Sequence, residues 1–311
     1  MDKNKPIEFL TSLKQYLLQH HTQSTAYGYY RTITIYLQQQ TNAEEATYKE
    51  IINYVSGIRS RYSKATTVKS ILNGIKKYYD YLLYSGIRSD HPCRNLNIKD
   101  CRHKDVQIQD LLSEQQLEGL LSYESKRFKT VLSVRNKALL SLLVYQGLNK
   151  GELKRLTIDD LDIESGNIYI KGSHSSNSRT IKLHNKQIML LYKYVTEIRP
   201  ELLEQAEPQI ITNNLFITIK GKPETGSSLK YIFQQIKQQQ GLKLTINLIR
   251  QSVIANKLKR GNDIRMVQIF AGHKNASSTE RYKPADIEQL KAVVNKYHPM
   301  KLASIKNRTK K

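Results

Sequence analysis

Cysteine is scarce in this sequence: Cys93 and Cys101 are the only two in 311 residues. Two thiols cannot build a disulfide framework, and no Cys/His cluster surrounds them, so the spacing of a structural zinc site is missing as well. Both are expected to be ordinary reduced thiols, and neither a metal nor a cofactor is expected. Long hydrophobic runs are also missing. The longest, near residues 138–145, is far too short to span a bilayer, and Met1-Asp2-Lys3-Asn4-Lys5 opens no apolar core of signal-peptide length. No basic amphipathic helix stands apart as a membrane anchor. The expected location is therefore the prokaryotic cytosol or nucleoid, with no membrane partner. No internal repeat is found.

Acidic side chains are in deficit, and this points to a partner. Fifty Lys and Arg against 27 Asp and Glu give a formal net charge of +23. Such a field attracts polyanions and speeds their association, which makes nucleic acid the first partner to consider. The length suits two domains, because single cores usually stop growing at about 250 to 300 residues.

The first domain is expected over residues 1–98. Its apolar residues recur at helical spacing, as in Phe9, Leu10, Leu13, Tyr16 and Leu17, and again in Ile71, Ile75, Tyr78, Tyr79, Leu82 and Leu83. This pattern predicts four or five short helices. Their polar faces carry Arg59, Arg61, Lys64, Lys69 and Lys76 beside Thr66, Thr67 and Ser70, a set suited either to phosphate contact or to plain solvation. A polar, Pro-broken stretch predicts a linker over 99–111. The second domain is expected over 112–300. It opens with a helix from Leu112-Ser113-Glu114-Gln115, followed by an apolar helix over 135–146 that breaks at Gly147, and a helix over 150–156. Residues 166–172 and 179–183 alternate like the strands of a hairpin, and helices dominate from Ser228 onward. The predicted fold class is mainly α with a small β-sheet or hairpin, an α+β second domain. Residues 301–311 hold five Lys and Arg and no acid, and are expected to form a basic tail.

The most informative stretch begins Thr245-Ile246-Asn247-Leu248-Ile249-Arg250. It continues with Gly261-Asn262-Asp263-Ile264-Arg265-Met266-Val267-Gln268-Ile269-Phe270-Ala271-Gly272-His273 and ends Ser277-Ser278-Thr279-Glu280-Arg281-Tyr282. Each of these residues is unremarkable alone; with 20 tyrosines in the chain, any one is first a packing residue. Together and in this order they resemble the C-terminal half of a tyrosine recombinase, or phage integrase, catalytic domain. In that family an HxxR helix is followed by a Gly-His turn and then by a nucleophilic Tyr. The separations, 23 residues from Arg250 to His273 and nine from His273 to Tyr282, are those of the family pattern. The resemblance extends to the N-terminal region, which is similar to a helical, SAM-like core-binding domain.

The resemblance implies a chemistry. Metal-free attack on a phosphodiester builds negative charge that fixed donors must meet, and Arg offers a permanently charged bidentate fork. Arg250 would grip the scissile phosphate and His273 would hydrogen-bond a nonbridging oxygen or assist proton transfer. Tyr282 would attack to give a 3′-phosphotyrosyl link. Lys171, just before Gly172, matches the hairpin Lys that protonates the leaving 5′-oxygen; otherwise it is a backbone-contacting lysine. Lys150, Lys154 and Arg179 are further candidates for DNA contact. The family's usual first catalytic Arg is replaced by Asn149, and the His of HxxR by Asn247. Some mobile-element members also lack that first Arg.

The implied protein is a two-domain, C-shaped clamp on double-stranded DNA, forming a homotetramer on paired sites through an amphipathic helix from Asp286. A second recombinase partner is left open. Two functions remain: a site-specific recombinase or integrase of a mobile element, weak or partner-dependent, or a catalytically impaired homologue acting as an accessory DNA-binding protein. A type IB topoisomerase-like nicking and rejoining enzyme would use the same chemistry.

Overall fold

A computed structural model describes residues 5–100, 108–122, 130–206, 212–224 and 226–282. Residues 101–107 of the expected linker, including Cys101, lie outside these, as do the expected helix from Asp286 and the basic tail. The chain divides into two compact units, Met1–Lys104 and Asp105–Lys311.

The described part of the first unit holds four helices: α1 (Lys5–His20), α2 (Gln23–Gln39), α3 (Tyr48–Arg61) and α4 (Ala65–Tyr84). They are 14 to 20 residues long, so the expectation of short helices is corrected. Along α4 the buried residues Val68, Leu72, Ile75, Tyr79 and Leu82 recur every three or four positions and form one stripe against α2. Leu13 and Leu17 of α1 and Ile33 and Tyr36 of α2 complete that core. Two of the buried hydroxyls pair with each other: Tyr36 and Tyr79 share a hydrogen bond of 2.7 Å, and Tyr79 donates to the Ala43 carbonyl at 2.9 Å, whereas the buried Tyr78 hydroxyl has no hydrogen-bond partner among the described residues. Thr47 starts α3 with a capping box, accepting from the Glu50 amide while the Glu50 carboxylate accepts from the Thr47 amide.

The second unit opens with α5 (Glu114–Gly119) and α6 (Thr130–Gln146). Helix α6 buries Ala138, Leu139, Leu140, Leu142, Leu143 and Val144, so over residues 138–144 it is buried on every side and forms the centre of this unit's core. It ends at Gly147, whose φ of +61° sends the chain through the left-handed region that a side chain resists. Next come α7 (Lys150–Arg155) and three short strands, β1 (Leu161–Asp162), β2 (Asn167–Ile170) and β3 (Arg179–Lys182). The strands pair antiparallel in the order β1-β2-β3, with Ile168 opposite Leu161 and Ile181. The expected hairpin is thus part of a three-stranded sheet. Beyond it lie α8 (Asn185–Lys193), a π-helical segment Tyr194–Ile198, and α9 (Arg199–Glu204). Four helices finish the described chain: α10 (Ser227–Gln240), α11 (Ile246–Lys259), α12 (Ile264–Ala271) and α13 (Ser277–Glu280). The protein is mainly α with one small antiparallel sheet. Among the described residues, no helix is long and apolar enough to cross a membrane.

Candidate active site

A buried carboxylate organises the site. Glu152 sits on α7 and is 1% exposed, held between two guanidinium groups. Arg179, at the start of β3, donates through Nη1 to Oε1 at 2.8 Å and through Nη2 to Oε2 at 3.2 Å. Arg250, on α11, donates from Nη1 to Oε2 at 3.1 Å. Burial would raise the Glu152 pKa, but the hydrogen bonds from Arg179 and the two positive charges outweigh it and hold the carboxyl below its ordinary range. Arg250 is 8% exposed, and burial lowers its pKa against the opposing pull of Glu152. It remains a cation at any working pH.

The same guanidinium is fixed by backbone. Arg250 Nη1 donates to the Gly147 carbonyl at 2.8 Å, and Nη2 donates to the Ala271 carbonyl. One side chain therefore ties the break after α6 to the end of α12. Arg179 does the same from the sheet, donating from Nε to the Phe270 carbonyl at 2.6 Å. Gly272 makes this crossing feasible. A Cβ there would lie 2.4 Å from Arg179 Nη1, and its φ of +66° closes α12 in the left-handed conformation.

The turn places His273 against the sheet loop, where the Asn177 amide donates to the Gly272 carbonyl at 2.9 Å. His273 Nδ1 lies 2.8 Å from the hydroxyl of buried Thr279, which orients the ring and leaves Nε2 as the nitrogen that can meet a ligand. Gln268 donates to the His273 carbonyl at 3.1 Å. Burial first, then the charges of Arg250 and Arg179, push the imidazole pKa down to about 4. His273 is accordingly neutral at pH 7 in the free protein. Tyr282 is half-buried against Ile254, Val267 and Ala271, with its ring 15° from that of His273 and the centroids 6.5 Å apart.

An NMR titration of the free protein should give His273 a midpoint near 4, well under the ordinary 6.5. In Arg250→Ala the midpoint should rise, because the repulsion from the Arg250 charge is gone; a midpoint near 6.5 in the unaltered protein would contradict the buried placement. Since the folded pKa is the lower one, the unfolded chain takes up this proton first. The His273 contribution therefore disfavours folding progressively as pH falls from about 6.5 to about 4.

The remaining expected residues are placed differently from one another. Lys171 follows β2 and is exposed; its amine pairs with Asp160 at 3.2 Å and donates to the Thr157 hydroxyl at 3.2 Å. Asn149 is the N-cap of α7: its side chain accepts from the Glu152 amide at 2.9 Å, and its own amide donates to Glu152 Oε2 at 2.9 Å. Asn149→Ala should therefore cost about 1 kcal/mol of stability, measured by denaturant unfolding. Asn247 is exposed in the first turn of α11. Lys150 and Lys154 are exposed on α7, as are Arg61, Lys64 and Lys69 in the first unit.

Three of the expected DNA-contacting residues are otherwise engaged. Arg179 is 6% exposed and commits its guanidinium to Glu152 and Phe270, so it is a structural residue rather than a surface contact. Lys76 donates to the Arg94 carbonyl at 2.8 Å, and Arg59 pairs with Asp100. Glu152 was the residue the spacing did not single out. Its only local signal was its place three residues after Asn149, the capping-box position.

The profile described as the phage integrase family matches residues 110–289. Tyrosine recombinase XerD of Oceanobacillus iheyensis is 28% identical over 284 residues, covering 89% of this chain and 92% of the relative. Tyrosine recombinase XerC of Pelotomaculum thermopropionicum is 27% identical over 249 residues, covering 79% of each. In fold, the chain is similar to the Tn1549 transposon integrase solved in complex with a circular-intermediate DNA. That similarity has a TM-score of 0.67 at 17% identity, over 92% of this chain and 99% of the other. With the match spanning α5 through the Gly-His turn to Tyr282, this chain belongs to the phage integrase family of tyrosine recombinases.

Proposed function

We propose that the protein cuts and rejoins duplex DNA at specific sites through a covalent link to Tyr282. The observation that supports this most is the convergence on one buried anchor. Glu152 and backbone carbonyls fix Arg250, while the turn after α12 carries His273 and the end of α13 brings Tyr282 beside it. In the proposed step the Tyr282 oxygen attacks the scissile phosphorus, the bond to the 5′-oxygen breaks, and a 3′-phosphotyrosyl link forms. The Tyr282 proton leaves to a base or solvent, and the departing oxygen gains one. Arg250 offsets the charge on the phosphoryl oxygens. Neutral His273 accepts or shares a proton through Nε2, and a bound phosphate, being anionic, raises its pKa and makes it a better donor.

Lys171 is the proposed acid for the 5′-oxygen. Its pairing with Asp160 holds the amine just beyond β2, and proton delivery requires it to leave that pair. Attack by a second 5′-hydroxyl on the phosphotyrosyl link reverses the step and reseals the strand, conserving the bond energy. The clamp on DNA, the homotetramer on paired sites and the setting in a mobile element belong to the same proposal. The last is supported by the departure at Asn149 from the usual charged set.

One observation favours the accessory DNA-binding reading. Asn149 is occupied in capping α7 and Asn247 has no titratable proton, so neither replaces the charge or the acid-base group lost. The two readings separate on a nicked suicide duplex carrying a site selected by the protein from a randomised pool. The recombinase reading predicts an adduct stable on a denaturing gel. Tight, site-selective binding with no adduct, alone or with a second recombinase present, would establish the accessory role.

A further inference from the structure

The second unit contains a cleft of about 660 Å³. Both substituted positions, Asn149 and Asn247, line it, together with Lys150, Lys230, Lys237 and Lys243. The lysines come from three places in the sequence. Lys150 opens α7, Lys230 and Lys237 lie two turns apart on one face of α10, and Lys243 precedes the Thr245 cap of α11. All four are exposed, and among the described residues none of them is ion-paired. Among the described residues no carboxylate lines the cleft, and its lining includes the apolar side chains Phe233 and Leu244.

Four like charges gathered without a counter-ion repel one another and disfavour the folded state, so the arrangement calls for an anion. A low-dielectric wall strengthens the field that anion would meet. The cleft also adjoins Arg250: Asn247 is one helical turn before it, and Gly147, whose carbonyl holds Arg250, is two residues before Asn149. We infer that this cleft is a phosphodiester-binding site in which Lys150, Lys230 and Lys243 supply the positive charge that position 149 lacks. Asn247 donates a hydrogen bond to the same phosphate. Lysines suit this task because their compact charge works from a distance on a flexible stem, without the fixed fork an Arg at 149 would present. The inference rests on the strand-cleavage reading for its catalytic part and on the cleft alone for its binding part.

The test compares the full chain with the K150Q/K230Q/K243Q variant, with Lys193→Gln on α8 as a control outside the cleft. Binding to a 30-base-pair duplex is followed by fluorescence anisotropy over a salt series, and cleavage is followed on the selected suicide duplex. The triple variant should lose about 0.9 from the slope of log affinity against log salt for each phosphate contact removed. Its cleavage should fall roughly a hundredfold, its thermal midpoint should stay or rise, and Asn149→Arg in that background should recover cleavage. A slope and rate equal to those of Lys193→Gln would overturn the site. A lower slope with unchanged cleavage, or no recovery by Asn149→Arg, would overturn the replacement of charge. If the unaltered protein forms no adduct while the slope still falls, the cleavage reading fails and the phosphate site stands.

Discussion

Glu152→Ala should lower the unfolding free energy by about 3 to 5 kcal/mol, the usual cost of breaking a buried ion pair from one side. The effect is large because two cations lose one anion. Arg179 and Arg250 are 6% and 8% exposed, so neither can exchange the lost partner fully for water. The Asn149 amide loses its acceptor too. Glu152→Gln separates charge from shape: it retains a carbonyl for one guanidinium but removes the negative charge, and should lie between Ala and the unaltered protein in denaturant unfolding. The pH dependence follows from the depressed carboxyl pKa. Stability from Glu152 is complete above the unfolded carboxyl's titration range and is lost as pH falls through the lower folded value. In Glu152→Gln this acid-sensitive contribution should vanish. An Ala variant as stable as the parent would show that the two guanidinium groups are solvated in solution.

Arg250→Ala should reduce strand cleavage by roughly two to three orders of magnitude, the loss typical of one positioned transition-state donor. It should weaken duplex binding much less, since one charge among many is removed. Stability should also fall, because the Gly147 and Ala271 carbonyls lose their donor, yet by less than in Glu152→Ala, since Glu152 keeps Arg179. Arg250→Lys retains the charge without the fork and should remain nearer to Ala than to Arg in rate. Single-turnover cleavage and denaturant unfolding, measured on the same variants, separate the two roles. Equal losses in rate and stability from Glu152→Ala and Arg250→Ala would reduce Arg250 to a structural residue.

Local pattern was most legible where one element carried the signal. The apolar block of α6, the helix start at Ser113-Glu114 and the alternation of β2 and β3 were all readable, and so was the order Arg250, His273, Tyr282. The signal was weaker in the first unit. Helix α2 buries only Ala26, Ile33 and Tyr36, so its Gln- and Tyr-rich sequence understates a helix of 17 residues. Strand β1 has only two residues, too few for any alternation. The misplacement of Arg179 has a different cause. Its partner Glu152 is 27 positions away, and an Arg opening a strand next to a polar loop has the same local signature whether it faces water or a buried carboxylate. Lys230, Lys237 and Lys243 were silent for the same reason, since only folding brings α10 and the start of α11 beside Asn149.

Mass mapping of the DNA-linked peptide tests the central claim most directly. The chain has 20 tyrosines, so an adduct band alone does not identify the nucleophile. After trapping on the suicide duplex and digestion of protein and DNA, the account predicts a 3′-phosphate-linked nucleotide on Tyr282 and on no other residue, and no adduct from Tyr282→Phe. A linkage on a different side chain, or an adduct that persists in Tyr282→Phe, would contradict it.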